Sequence, residues 1–340
     1  MPALITFTDK GLYCSKGDFY IDPWKPVQKA VITHAHSDHA RPGHSHYLCH
    51  KDSLPLLRLR LGENNYQTAG WNEIVYINGV ALSFHPAGHI IGSAQVKISY
   101  NDETWVFSGD YKTTADGIST PFEPVRCHHF ITESTFGLPI YKWKPQEQIF
   151  AEMQQWAMEN RAKQISSIFI AYSLGKAQRI LPALAATGVP IFAHGAIYNV
   201  QQALTNAGWD LPPVKRVDAE TTASELKGAI VIAPPGAEGS PWLKRFGNYA
   251  TGICSGWMMV RGNSRRKNAD AGFALSDHAD WEGLLEAVKA TGAEQVYTTH
   301  GFQSTFSRYL RENGINATEV KTAYGNEEEE EVNTLTATNT

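Results

Sequence analysis

A short apolar run followed at once by four metal-binding side chains most constrains how this chain can fold. Residues 30–32 (A-V-I) have the composition of a buried strand, and residues 33–39 (T-H-A-H-S-D-H) follow directly. Imidazole and carboxylate groups suit zinc, and crowding several such bases into a desolvated loop is unfavourable without a cation. A single histidine beside a strand is usually structural, but four ligand-type residues within six positions predict a metal site at His34, His36, Asp38 and His39.

Further candidate ligands also follow strand-like runs. Strand-like runs at 81–84, 105–107, 130–132, 273–275 and 295–297 precede, in that order, His89, Asp110, Glu133, His278 and His300. Because a rigid sheet fixes the separation of its strand ends while loops remain free to carry function, we expect these side chains to gather at one site. Gly88 and Gly109 directly precede two of them, where we expect the backbone to turn sharply or to approach the metals closely.

Composition limits the class of protein. The 340 residues are 42% hydrophobic, which suffices for one large core or two moderate ones. No apolar run approaches the roughly 18 residues that cross a bilayer, and residues 1–10 lack the pattern of a secretory signal. The cysteines are isolated from one another, which predicts reduced thiols in a cytoplasmic protein; they are Cys14, Cys49, Cys127 and Cys254.

The net charge does not decide whether the partner is a polyanion. It is −4, and residues 327–331 contribute five negative charges, so the rest of the chain carries about +1. We expect residues 327–340 to form a disordered acidic tail without a catalytic role. Local clusters of basic residues must therefore indicate any nucleic-acid surface.

The pattern changes between Glu133 and His278. Residues 145–160 have helical spacing, and strand-like runs at 167–172, 190–193 and 229–233 alternate with helical stretches. This alternation predicts a parallel sheet covered by helices, distinct from the domain that carries the ligands. We expect an inserted domain at 142–271, a metal-binding domain formed by 1–141 and 272–326, and the active site in the cleft between them.

The motifs, taken in order, resemble a known superfamily. H-x-H-x-D-H at 34–39, Gly-His at 88–89 and Ser-Gly-Asp at 108–110 resemble the metallo-β-lactamase superfamily, whose α/β fold is an αββα sandwich. The motifs T-E-S-T-F-G at 132–137, S-D-H-A-D at 276–280 and T-H-G at 299–301 resemble its nucleic-acid-processing β-CASP branch, which carries an inserted cap domain of parallel α/β type. Within that branch the chain is similar to bacterial exonucleases encoded beside a DNA ligase and a helicase. Those enzymes are relatives of cross-link repair nucleases and of the mRNA 3′-end processing nuclease.

The resemblance, which spans about residues 5 to 325, implies a set of ligands for two divalent metal ions. One ion would be held by His34, His36, His89 and Asp110, and the other by Asp38, His39, His300 and the bridging Asp110. Zinc suits the imidazole-rich set, and manganese is also compatible with mixed His and Asp ligands. Asp22 is expected to orient ligands from outside the coordination sphere; the alternative is a turn-forming Asp before Pro23.

The chemistry that the resemblance implies is phosphodiester hydrolysis. Two metals about 3.5–4 Å apart can clamp a phosphate and activate water for in-line attack. Asp38, His278 and Glu133 are the catalytic candidates, with His278 giving a proton to the departing sugar oxygen and Glu133 holding its tautomer. Two alternatives stay open: His278 as a ligand of a third metal site, and Glu133 as a direct metal ligand.

Two basic segments are candidates for contact with nucleic acid. Lys176 and Arg179 lie near an expected helix start, where backbone N–H groups favour phosphate; the alternative is an ordinary amphipathic helix that exposes both side chains. The second cluster comprises Arg261, Arg265, Arg266 and Lys267, close to Trp257. Basic side chains near an aromatic ring suit single-stranded nucleic acid, because they pair with phosphates while the ring stacks on bases. A solvated loop is the alternative for this cluster.

The resulting interpretation is a cytoplasmic, metal-dependent DNA exonuclease that acts in repair on single strands or strand ends. Association with a DNA ligase and a helicase is implied by the resemblance. The alternatives are an RNA-processing nuclease, a hydrolase of small esters or lactams, and a catalytically silent binding protein. The large insert argues against a small substrate, and the full ligand set argues against a silent protein.

Overall fold

The computed structural model describes residues 3–260 and 269–322. Within them the chain divides into two compact units, the first ending at Lys142 and resuming at Asp277, and the second comprising Trp143–Ser276. Among the described residues, no helix is both long enough and apolar enough to cross a membrane.

The first unit opens with a six-stranded sheet. Its order follows the sequence, and its strands are β1 (Ile5–Phe7), β2 (Leu12–Cys14), β3 (Phe19–Ile21), β4 (Lys29–Ile32), β5 (His46–His50) and β6 (Tyr66–Ala69). The first three strands pair antiparallel, and the pairings from β3 to β6 are parallel. Helix α1 (Leu54–Leu61), entered through a 3-10 turn at Lys51–Ser53, makes the crossover between β5 and β6.

A second sheet begins with an antiparallel meander. Its strands are β7 (Val75–Ile77), β8 (Val80–Pro86), β9 (Ala94–Tyr100) and β10 (Glu103–Phe107), followed by β11 (His129–Glu133) parallel to β10. Apolar side chains of both sheets face each other and form one core, in which Phe19 and Val31 of the first sheet meet Leu82 and Phe107 of the second.

The second unit is a parallel α/β domain. Its strands are β12 (Ser166–Ile170), β13 (Ile191–Ala193), β14 (Lys215–Arg216), β15 (Ile230–Ala233), β16 (Tyr249–Cys254) and β17 (Ala271–Phe273). They lie in the order β14-β13-β15-β12-β16-β17, and every pairing of these described strands is parallel. The helices are α2 (Gln146–Ala162), α3 (Lys176–Ala185), α4 (Gly195–Asn206) and α5 (Ala223–Leu226), with 3-10 turns at Pro235–Ala237, Pro241–Phe246 and Gly256–Met259.

The end of the second unit differs from the expected boundary. From the sequence we expect the first domain to resume at 272, whereas β17 pairs with β16 and the second unit extends to Ser276. The reason is that Phe273 packs in the core of the second unit, so the apolar run at 273–275 is part of that core. The predicted parallel sheet itself is confirmed.

The returning chain completes the second sheet. It forms α6 (Trp281–Thr291), β18 (Gln295–Thr299), α7 (Gln303–Glu312) and β19 (Ala317–Glu319). The strand order of the completed sheet is β19-β18-β11-β10-β9-β8-β7. Trp281 and Phe306 of the two helices share a core cluster with Phe130 and Val296 of this sheet. The expected fold class, a two-sheet α/β sandwich with an inserted parallel α/β domain, is confirmed.

Candidate metal centre

The candidate ligands of the first unit converge, as their positions after strands predict. His34 follows β4, His89 follows β8, Asp110 follows β10 and His300 follows β18. One group of side chains offers ligand atoms that all lie within 4.8 Å of one another, and it comprises His34, His36, His89 and Asp110. A second group meets the same limit with Asp38, His39 and His300.

Two glycines allow the loops that carry these ligands to approach other backbone. Gly88 has φ +73°, and a Cβ there would lie 2.4 Å from the carbonyl oxygen of Lys112. Gly109 has φ +55°, and a Cβ there would lie 2.8 Å from Cβ of Thr33. The sharp turns expected before His89 and Asp110 are therefore present, and a side chain at either glycine would push a ligand out of place.

The first group contains more lone pairs than its own protons can satisfy. His89 Nδ1 lies 2.9 Å from the carbonyl oxygen of Asp277, so this nitrogen donates and Nε2 carries a lone pair. The Thr33 hydroxyl donates to Asp22, and His34 Nδ1 therefore donates to Thr33, which leaves a lone pair on His34 Nε2. Both Nε2 atoms face His36 Nδ1, at 3.0 Å from His89 and 3.2 Å from His34. One proton on His36 Nδ1 can satisfy only one of these two nitrogens. A cation would accept the lone pairs of all three imidazole nitrogens.

Asp110 links the two groups. Its Oδ2 atom lies 3.6 Å from His34 Nε2 and 3.4 Å from His39 Nε2. Its Oδ1 atom is buried and has no hydrogen-bond donor among the described residues. A buried carboxylate oxygen without a donor is costly, so the position of the Asp110 carboxylate between two clusters of bases favours a bound cation.

The protonation states suit metal ligation. Burial and the neighbouring imidazoles hold the pKa of His34 well below its usual value and lower that of His89 to about 3. Burial alone would raise the pKa of Asp110, but His39 outweighs it and holds this pKa well below the usual range. Neutral imidazoles and an ionised carboxylate are the forms that bind a divalent ion.

His39 marks the place of positive charge in the second group. Burial alone would lower its pKa, but the carboxylates of Asp38 and Asp110 raise it well above the usual value. A proton on His39 would therefore balance the charge of those carboxylates. The ring of His300 stacks on His39 with centroids 5.1 Å apart, and His300 Nε2 lies 3.9 Å from Asp38 Oδ2.

Asp22 anchors the loop that follows β4 by contacts to Thr33 and His39. It follows β3 with φ +40°, is fully buried, and places Oδ2 2.6 Å from His39 Nδ1. The same carboxylate accepts hydrogen bonds from the backbone N–H and the hydroxyl of Thr33. Asp22 thus lies where the expected orienting carboxylate would be, and its contacts go beyond those of a turn-forming residue.

Glu133 and His278 form a buried pair beside the two groups. His278 Nδ1 lies 3.0 Å and 2.9 Å from the two oxygens of Glu133, and Glu133 Oε1 also accepts the backbone N–H of Tyr111 at 2.8 Å. Burial raises the pKa of Glu133, and His278 opposes that shift only in part. The ring centroids of His278 and His89 are 4.7 Å apart, so the pair adjoins the first group. His278 also meets the 4.8 Å limit with Asp110 and Glu133, and with His89 and Asp277.

The predicted nucleic-acid contacts are placed differently from the ligands. Lys176 and Arg179 are buried in the second unit, at 3% and 2% exposure. This burial does not match the exposed side chains of the alternative and leaves little surface for the expected contact, so their contact with nucleic acid stays a prediction. Lys176 Nζ lies 4.3 Å from the ring centre of Tyr172, and Arg179 donates to the carbonyl of Ser276 at 2.6 Å. The other predicted contacts lie outside the described residues; they are Arg261, Arg265, Arg266 and Lys267.

Two residues of the site have no role in the sequence analysis. Thr33 relays a hydrogen bond from His34 to Asp22, and the carbonyl of Asp277 holds His89. Asp277 lies inside the S-D-H-A-D motif, but that motif predicted a role only for the neighbouring His278. A backbone acceptor has no sequence signature, because any residue supplies the same carbonyl.

Comparisons with known proteins agree with the motifs, although no family model matches the chain. The chain is 32% identical over 322 residues to a protein named "Probable DNA ligase" from Opitutus terrae, which covers 93% of this chain and 31% of that protein. It is 23% identical over 283 residues to "RNase aCSPSF2" from Saccharolobus solfataricus, covering 72% of this chain and 57% of that protein. The chain thus spans less than two thirds of each of these relatives.

A solved structure supports the fold. A protein of unknown function from Enterococcus faecalis superposes with a TM-score of 0.61 at 12% identity, covering 88% of this chain and 80% of that one. At this identity the likeness concerns the fold alone. With its motifs in order from His34 to His300 and with these relatives, the chain belongs to the metallo-β-lactamase superfamily, in its β-CASP branch.

Proposed function

We propose that this chain is a two-metal nuclease that hydrolyses phosphodiester bonds, and that it acts as a DNA exonuclease in repair. One observation carries the proposal: Asp110 belongs to one group of ligand atoms and lies 3.4 Å from His39 of the other, and a buried carboxylate–imidazole pair adjoins it. This combination provides both the cation sites and a proton donor, which phosphodiester cleavage requires.

The metal ligands would be those that the two groups bring together. His34, His36 and His89 would hold one ion, Asp38, His39 and His300 the other, and Asp110 would bridge them. Zinc is the metal that we propose, because most ligands are imidazoles; manganese is the alternative. When bound, the ions would activate water and neutralise charge on the phosphate.

The remaining side chains would position groups and move a proton. Because Nδ1 of His278 faces Glu133, Nε2 is the nitrogen that would protonate the departing sugar oxygen. Glu133 would hold that tautomer and stabilise the protonated imidazole. Asp22 would keep His39 Nε2 directed at the second ion, since it engages Nδ1 of the same ring.

The nucleic-acid substrate and the partners are the least constrained part of the proposal. A relative named as a DNA ligase favours DNA and a functional association with ligation, and a helicase partner is expected from the resemblance. Relatives named as ribonucleases favour the second candidate, an RNA-processing nuclease; one is "RNase J-like protein" from Methanocaldococcus jannaschii, 25% identical over 233 residues. The chemistry proposed for the site is the same in both cases.

A digestion series on end-labelled substrates tests the proposal. Matched single-stranded and double-stranded DNA and RNA would be incubated with the zinc-loaded and the manganese-loaded protein. We expect stepwise shortening of DNA from one end and no activity after exhaustive chelation. Digestion of RNA alone would replace the first candidate by the second, and internal cuts would exclude the exonuclease assignment. Unchanged digestion by an Asp110→Ala protein would contradict the metal mechanism itself.

A further inference from the structure

We propose that helix α1 braces the metal centre, with Arg60 and Ser53 as positioning residues for the two loops that carry most of the ligands. The inference rests on the proposed metal site, not on nuclease activity. Neither residue offers a ligand atom to the groups described above. Their contacts with the loops are backbone contacts at the opposite ends of one helix.

Arg60 holds the loop that follows β4. Its Nη1 atom donates to the carbonyl of Ala35 at 2.5 Å and to that of Ala40 at 3.4 Å. Ala35 lies between His34 and His36, and Ala40 follows His39, so the guanidinium ties both ends of the ligand-bearing segment. Ala35 and Ala40 are fully buried, where a charge-assisted hydrogen bond is strong.

Ser53 holds the loop that follows β8. It directly precedes α1, is fully buried, and donates from Oγ to the carbonyl of Gly92 at 2.6 Å. Gly92 has φ +78°, and a Cβ there would lie 2.4 Å from the backbone nitrogen of Ser53. Ser93 then accepts the backbone N–H groups of His89 and Ile90, both at 3.1 Å, so the position of His89 depends on this contact.

The helix between the two contacts is short and well anchored. Its eight residues span about 12 Å, and Leu56 and Leu57 are fully buried. A short rigid helix with a polar side chain bound to a different loop at each end fixes the spacing of the two loops. Outer residues of this kind commonly change metal affinity by about 10- to 100-fold when they are replaced.

Metal release from the loaded protein tests the brace. A colorimetric chelator would be added to zinc-loaded wild type and to Arg60→Met, with Arg58→Met as the matched control on the same helix. Arg58 is half-exposed and pairs with Glu63 at 3.3 Å, so its loss leaves both loops alone. We expect both ions to leave Arg60→Met about 10- to 100-fold faster, Arg60→Lys to be intermediate, and Arg58→Met to match wild type.

Ser53→Ala separates the two ends of the brace. Because Ser53 holds only the His89 loop, we expect faster release of one ion and a wild-type rate for the other. With cobalt in place of zinc, the visible spectrum of Arg60→Met should change, whereas that of Arg58→Met should not. A purely structural role would lower the melting temperature without altering the spectrum of the folded, loaded protein.

The outcomes distinguish the brace from the metal site. Wild-type release rates in folded Arg60→Met, or equal acceleration in Arg58→Met, would exclude the brace. If Arg60→Met does not fold, the release rate of Arg60→Lys decides, since that side chain keeps the charge but makes a single contact. A wild-type protein that binds no zinc at all would remove the metal site of the proposed function instead.

Discussion

At the level of single residues, the motifs predicted which side chains meet, but not how each is held. The order of His34, His89 and Asp110 along the chain suffices for the ligand groups, because each follows a strand of one sandwich. The hydrogen bonds of Thr33 and of the Asp277 carbonyl could not be predicted, since they depend on which backbone atoms the fold brings near. Whether the grouped side chains hold metal stays a prediction.

Replacing the shared carboxylate should affect both metal sites at once. Asp110→Asn keeps the size of the side chain but removes the charge that lies between His34 and His39. We expect loss of at least one bound ion and a fall in nuclease rate of at least about 100-fold. Metal content by mass spectrometry, measured alongside the rate, checks this. Retention of two tightly bound ions would show that Asp110 is not the bridge.

His278 can be tested as a proton donor against its alternative role as a ligand. His278→Asn should lower the rate by about 10²- to 10⁴-fold while both ions stay bound. Glu133→Gln should lower it as well, because the imidazole then loses its carboxylate partner at 2.9 Å. Loss of one equivalent of metal in His278→Asn would assign the residue to a metal site instead.

At the level of elements, patterns located the strands well but misplaced one boundary. Runs of buried apolar residues predicted β12 and β15, which are covered on both faces. The run at 273–275 gave no sign of which sheet it joins, because an apolar strand suits either core. Only the pairing of β17 with β16 decides this.

The turn before His89 gives a matched test of loop geometry. Gly88 and Gly79 have similar φ angles of +73° and +82°, so alanine is strained at both. A Cβ at Gly88 would collide with the Lys112 carbonyl, whereas Gly79 faces open space. We expect Gly88→Ala to lower the free energy of unfolding by about 1–3 kcal/mol more than Gly79→Ala does. Urea denaturation of both variants measures the difference, and equal losses would contradict the close approach.

At the level of the whole molecule, both cores were predicted, and the buried histidines outside the metal site were not. His50, at the end of β5, is fully buried and stacks on Trp71 with ring centroids 3.4 Å apart. Burial lowers its pKa to about 4, and burial does the same for His44 and His85. The sequence does not predict their burial, because a lone histidine in a core leaves no periodic signal.

These histidines should make stability depend on pH. The pKa of His50 is lower in the folded chain than its ordinary 6.5, so the unfolded chain takes up the proton first. The contribution of the neutral ring is therefore complete above pH 6.5 and is lost as the pH falls towards 4. Between pH 6.5 and 4, the unfolding free energy of the wild type should fall by about 2 kcal/mol more than that of His50→Asn. Asparagine is chosen because it can still cap the following turn.

Urea denaturation at several pH values between 4.5 and about 7.5 measures this effect. His46→Asn is the control, since His46 is exposed at the other end of the same strand. A wild-type pH profile in His50→Asn would show that the ring titrates normally in the folded protein.

The hydrogen bond from His89 to Asp277 joins residues 188 positions apart. During synthesis the nascent chain leaves the ribosome with five of the candidate ligands, which lie between His34 and His89, long before Asp277 is made. His89 is oriented, and His278 and His300 are supplied, only once residues 277–300 have been made. The candidate centre can therefore assemble only after residue 300 is made, and a translation product truncated before Asp277 would carry five of its histidines and carboxylates without the groups that orient and complete them.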